Sequence, residues 1–111
     1  MYEATHAALQ AGQLPLLMGG DHCLAIGSIS AVAQHCRARG RRLKVLWFDA
    51  HADANTPESS PSGNLHGMPV ACLLGHGPAQ LTRLAGPDAP PALQSGQITL
   101  IGVRSVDATE K

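Results

Sequence analysis

Apolar positions recur along the chain with two periods, and the changes of period delimit the elements. Tyr2, His6 and Leu9 share one helical face and Gly12 supplies a stop, which predicts a short first helix. Residues 14–18 form a brief apolar run ending in Gly19-Gly20, the pattern of a buried strand entering a tight loop. Ala25, Ile29, Val32, Ala33 and Cys36 then repeat at helical spacing. Arg37 and Arg39 fall in that helix's last turn, where cations suit the dipole, and Gly40 caps it. Residues 43–48 read as a second strand, interrupted only by Lys44. Residues 54–64, rich in Pro, Ser, Thr, Gly and Asn, predict a loop. Helix resumes at Pro69, with Val70, Leu73 and Leu74 as its stripe. The glycines and prolines of residues 75–94 predict an irregular connection with one helical turn near Leu81. Residues 97–103 form a third strand and residues 104–111 a polar exit.

A helix between continuous apolar strands is the mark of a βαβ unit. The predicted fold class is therefore α/β, a three-layer sandwich whose three parallel strands are joined by right-handed crossovers. Three strands leave sheet edges bare, so the chain is expected to be part of something larger.

Composition narrows the possibilities. A length of 111 residues allows one domain at most. Eight basic and eight acidic residues give no net charge, hence no reason to expect a nucleic-acid or membrane partner. Much of the 44% apolar content is alanine, and Tyr2, Trp47 and Phe48 are the only aromatics, so the core is expected to be thin. Cys23, Cys36 and Cys72 show no paired spacing, which argues against a zinc knuckle or a disulfide framework and for a reducing compartment. No basic-then-apolar leader occurs, and no apolar run reaches the ~18 residues of a membrane span, so a cytoplasmic location is expected. The basic residues between 37 and 42 lack interleaved aromatics and read as a solvated helix end.

Open α/β sheets carry their ligand sites beyond the carboxyl ends of the strands. The unusual polar residues lie there. Gly20-Asp21-His22 follows the first predicted strand, Asp49-Ala50-His51-Ala52-Asp53 the second, and Arg104-Ser105-Val106-Asp107 the third. In extended chain Asp49, His51 and Asp53 would project to one side, and two carboxylates with an imidazole converging on one point call for a cation. Oxygen and nitrogen donors without sulfur favour Mn, Fe or Mg over structural zinc, and His22 could supply a fourth ligand. The alternative for the DxHxD run by itself is a solvated strand end with a turn-forming Asp. His6, His35 and His76 are read as structural or solvent-facing.

Gly19-Gly20-Asp21-His22, the run from Asp49 to Asn55, and Ser62-Gly63-Asn64-Leu65-His66-Gly67 together resemble the arginase–agmatinase (ureohydrolase) family, over residues 14–110. The loop carrying Asn55-Thr56-Pro57 and then Ser62 to Gly67 is similar to the arginase branch. This resemblance implies a partial arginase-like fold, with residues 1–111 forming part of a single catalytic domain that lacks its C-terminal portion. It implies hydrolysis of the L-arginine guanidinium group to L-ornithine and urea by a metal-bridging hydroxide, with two Mn2+ ions in the complete enzyme and homo-oligomeric assembly at full length.

By the same resemblance, His22, Asp49, His51 and Asp53 match manganese ligands, with Asp49 bridging both ions and His51 also facing substrate. Asn55 and Ser62, with Ser60 beside them, match residues that hold the substrate α-carboxylate, and Asn64 one at its amino-acid end. Asp107 matches the carboxylate that receives the α-ammonium, Glu110 an acid acting through water, and His66 a proton shuttle. Cys23 and Ser105 depart from the Ser and Asp frequent at their positions. A later SxDxD-type segment and a guanidinium-binding glutamate are absent, so the chain by itself is expected to be inactive. The competing readings are an agmatinase, a deacetylase of a related fold, which the GGDH and SGNLHG segments oppose, and a truncated product with no activity.

Overall fold

A computed structural model describes residues 1–110; the end of the predicted polar exit, Lys111, lies outside the described residues. Helices α1 (Tyr2–Gln10) and α2 (Leu24–Ala38) are followed by strand β1 (Val45–Phe48). The short helices α3 (Pro69–Leu73) and α4 (Ala79–Thr82) precede strand β2 (Ile98–Ile101). Three 3-10 turns, at Leu65–Gly67, Ser95–Gln97 and Ala108–Glu110, complete the regular structure. β1 and β2 run parallel, with Val45 opposite Ile98 and Phe48 opposite Ile101.

The core lies on one face of this sheet. Trp47 projects from β1 onto Val70 and Leu73 of α3 and onto Leu93, with Ala25 and Ile29 of α2 packed against the same cluster. A second cluster joins Ile26 of α2 to Met68 and Cys72, flanked by Cys23, Leu81 and Leu84. Proline at the start of α3 preorganises its first turn without sacrificing a needed N–H. α1 packs across α2, where Gly27 allows close approach: a Cβ there would lie 2.9 Å from the Tyr2 backbone nitrogen. The Tyr2 hydroxyl donates to the Gln34 side-chain oxygen across the same contact.

The predicted α/β class, parallel sheet and helices are present, with helices on one sheet face and Leu46 and Phe48 exposed on the other. The first predicted strand is not formed. Residues 14–18 are irregular, with Leu14 93% and Met18 83% exposed. An extended apolar segment becomes a strand only when a neighbour accepts its ladder hydrogen bonds. Among the described residues the sheet has two strands, β1 and β2, and neither pairs with this segment. Leu14, Pro15, Leu16 and Leu17 instead border, with Ile29, Val32, Leu43 and Val45, an apolar groove of about 460 Å³.

Candidate functional site

The paired strands deliver two loops side by side. Beyond the strand ends, the Asp49 amide donates to the Ile101 carbonyl at 3.0 Å, and the Arg104 and Ser105 amides donate to the Ala50 carbonyl at 2.9 and 3.0 Å. Two further backbone bonds tie the first loop to α3 and the turn before it: Val70 N–H to Asp53 O at 2.9 Å and Asn55 N–H to Gly67 O at 3.1 Å. His22 arrives from the turn before α2, entered through Gly19 and Gly20, whose φ values of 99° and 66° suit glycine.

His22 Nδ1 lies 2.8 Å from Asp49 Oδ2 and 2.8 Å from Asp53 Oδ2. Among the described residues these three are the group whose donor atoms converge tightly enough, all within 4.8 Å, to hold one metal ion. Trp47 presses edge-on against the His22 ring, centroids 5.3 Å apart, and so supports its orientation. The cleft above them, about 320 Å³, is also lined by Gly20, Asp21, His51 and His66.

The strand does not continue through this loop. The Asp49 carboxylate accepts its own loop's His51 N–H at 3.2 Å, and Asp53 adopts φ 51°. Both features bend the chain, so Asp49 and Asp53 converge while the His51 side chain stays 63% exposed, its Nδ1 3.5 Å from Asp49 Oδ1. All three side chains line the one cleft, although the chain that presents them turns instead of staying extended. His22 meets the two carboxylates as expected, but from a turn rather than from a strand end.

The electrostatics are those of a site short of positive charge. Burial pushes the Asp53 carboxyl above the usual range, with Asp49 adding repulsion and the His22 hydrogen bond working the other way. Burial also acts against Asp49, but the His51 amide, the His22 charge and the Ala50 amide outweigh it and hold Asp49 low. The hydrogen bond to Asp53 raises His22, against the effect of burial. Asp53 is only 6% exposed, and a buried carboxylate needs a compensating charge. Two carboxylate oxygens and an imidazole nitrogen, with no sulfur, suit a hard or borderline divalent cation. Cys23 is not one of the converging donors: it packs against Ile26, Met68 and Cys72, its backbone N–H donates to Asp21, and that neighbouring carboxylate raises the pKa of its thiol.

A second cluster lies between the same two loops. Asn55 Nδ2 donates to Asp107 Oδ2 at 2.9 Å. Glu110 spans both loops, accepting the Ala54 N–H at Oε1 and the Asp107 N–H at Oε2, each at 2.9 Å. The hydroxyls of Ser60 and Ser62 accept the amides of Gly63 and Asn64 at 3.0 and 3.2 Å, so they shape their own loop. Ser62, Asn64 and His66 are exposed. Asn55, Asp107 and Glu110 are thus brought together, and Ser60, Ser62 and Asn64 are not hydrogen-bonded to them.

Sequence reasoning passed over Asp21, which lines the cleft, and Ser59 and Thr109, whose hydroxyls donate to Asn55 Oδ1 at 2.8 and 3.0 Å. Asp21 lies within the Gly19-Gly20-Asp21-His22 run, whereas hydroxyl residues in polar loops carry no mark of a distant partner.

Known proteins share this arrangement of sequence and backbone. A family model described as the arginase family matches residues 1–111. Arginase from Bacillus caldovelox is 48% identical over 108 residues, 97% of this chain and 34% of that protein. The crystal structure of arginase from Bacillus cereus superposes with a TM-score of 0.88 at 41% identity, covering 98% of this chain and 36% of that one. The structure of Entamoeba histolytica arginase in complex with L-ornithine does so with a TM-score of 0.71 at 44% identity, over 83% of this chain and 30% of that one. The chain spans about a third of the length of these relatives. With a family match along its whole length and this group of two aspartates beyond a strand end met by a histidine from the turn before α2, the chain belongs to the arginase family.

Proposed function

We propose that this chain carries part of the metal site and part of the substrate site of an enzyme that hydrolyses the L-arginine guanidinium group to L-ornithine and urea. The observation that carries the reading is the convergence of His22 on Asp49 and Asp53 at 2.8 Å each, with a buried carboxylate awaiting a cation. Mn2+, two ions in the complete enzyme, would be held by His22, Asp49, His51 and Asp53, with Asp49 the carboxylate that would serve both. When bound, the metal pair supplies Lewis acidity and lowers the pKa of a water toward neutrality.

The chain's own residues recognise the other end of the substrate. Asp107 receives the α-ammonium through a charge-assisted hydrogen bond, and Asn55 offers an N–H to the α-carboxylate. Their side chains touch at 2.9 Å, a spacing that suits two groups borne on one carbon. Ser60, Ser62 and Asn64 shape and line the approach to that end, and Glu110 holds it together. His66, at the cleft, gives a proton to the departing amine. Agmatine lacks the α-carboxylate that Asn55 would bind, which favours arginine over the agmatinase reading. The protein acts in the cytoplasm and assembles as a homo-oligomer at full length.

The test is cation and product binding. Titrated with Mn2+, the chain should bind the ion with an affinity that Asp53→Asn and His22→Ala each reduce at least tenfold. With Mn2+ present, L-ornithine should bind more tightly than putrescine, its counterpart without α-groups. Manganese binding unaltered by both substitutions would falsify the assignment.

A further inference from the structure

We infer that Ser59 and Thr109 are positioning residues that lock the Asn55 side-chain amide in the one orientation able to serve an α-amino acid; the inference rests on the reading above. Asn55 is 4% exposed and hydrogen-bonded on both sides of its amide. An ionised carboxylate only accepts hydrogen bonds, so the Nδ2 side must face Asp107, at 2.9 Å. Oδ1 then faces Ser59 Oγ at 2.8 Å and Thr109 Oγ1 at 3.0 Å, and both hydroxyls must donate.

Their polarity is itself constrained. Ser59 Oγ accepts the Thr56 N–H at 2.9 Å, and of the two acceptors open to its own proton Asn55 Oδ1 at 2.8 Å is nearer than the Thr56 carbonyl at 3.5 Å. The Thr109 proton has a second acceptor, the Ser59 carbonyl, but at the longer distance of 3.2 Å. Flipping the amide would set its oxygen against the Asp107 carboxylate and withdraw the acceptor from both hydroxyls.

The lock has a chemical result. One Nδ2 proton is committed to Asp107, and the other remains as a fixed donor for a carboxylate. Asp107 keeps its second oxygen for an ammonium. Glu110 fixes the backbone on each side of the pair through the Ala54 and Asp107 amides. Side chains and backbone therefore hold a donor and an acceptor at the spacing of a zwitterion's two charges, and Thr109 does this from 54 residues away.

Asn55 and Asn64 are the only asparagines, so asparagine-selective 15N labelling of the 111-residue chain, with diamagnetic Mg2+ in place of paramagnetic Mn2+, reports two side-chain amides by NMR. The Asn55 protons should exchange with solvent far more slowly than those of exposed Asn64. Thr109→Val, which keeps the shape of the side chain, and Ser59→Ala should each speed that exchange, and Thr109→Ser should restore it. Loss of one neutral hydrogen bond should weaken L-ornithine about three- to tenfold in Thr109→Val and in Ser59→Ala, with putrescine unchanged. The lock is overturned if Asn55 exchanges as fast as Asn64 in the parent chain, or if neither variant alters exchange. A parent chain with a slow Asn55 amide that binds ornithine no better than putrescine would instead sink the arginine reading and leave the lock standing.

Discussion

Asp53 combines a backbone conformation that few side chains tolerate with a charge that its surroundings resist. Its φ of 51° lies in the left-handed region, where Asp and Asn are tolerated and β-branched residues are strained. Asp53→Asn should therefore keep the fold by circular dichroism and lose manganese affinity, whereas Asp53→Val should lose both, with about 1–3 kcal/mol of stability forfeited to strain. His66 separates differently. It lines the cleft but stands outside the tight group of donors, so His66→Ala in the assembled enzyme should leave metal content intact and slow turnover about 10²–10⁴-fold. Manganese loss measured by elemental analysis would reassign it as a ligand. Residue types made this chemistry legible in the sequence, because a carboxylate-rich run with histidine and no sulfur admits few uses. The geometry was not legible. Asp49, His51 and Asp53 line one cleft, but the Asp49 turn and the left-handed Asp53 leave His51 outside the tight group of donors, which alternation alone does not show.

Helices and paired strands followed their apolar periods. Of the expected stripe of α2, Ala33 is buried but Ala25, Ile29, Val32 and Cys36 are only half-buried, while Ile26, Gly27, Ser30 and Ala31 are also fully buried. Small residues explain the second face. Periodicity weighs bulk, but Gly27 and Ala31 are buried because they let another element come close. Met1 Cβ and the Tyr2 amide both sit 2.9 Å from where a Gly27 Cβ would stand. Gly27→Ala should gain helix propensity yet lower stability by about 1–3 kcal/mol, as overpacking outweighs the propensity term. A thermal melt reads the sign: a raised Tm would mean that α1 moves aside freely. Residues 14–18 failed as a strand for the opposite reason. Their composition suits a strand, but a strand is defined by its neighbour, and apolar composition says nothing of where that neighbour comes from.

Taken whole, the molecule leaves apolar surface uncovered where strands meet solvent. Leu14, Leu16, Leu17 and Met18 are exposed, and so are Leu46 and Phe48 on the open sheet face. Surface of this kind drives association. Among the described residues the chain also offers one tight group of three donors to a metal, too few for a pair of ions, so urea release from it alone with Mn2+ should be undetectable; sustained turnover would show these donors to be sufficient. The exposed run permits a direct test. Leu16 and Met18 are mostly in solvent, so the double substitution Leu16→Lys and Met18→Lys should change stability by no more than about 0.5 kcal/mol per site. It adds two like charges to an apolar edge, the device by which natural edge strands resist pairing. The double variant should stay monomeric at concentrations where the parent self-associates, as read by light scattering, with an unchanged far-UV spectrum. A collapsed spectrum would mean that these side chains are buried in solution, and unchanged association would transfer the sticky surface to Leu46 and Phe48. Lysines at Leu46 and Phe48 would then relieve association, whereas those at Leu16 and Met18 would not.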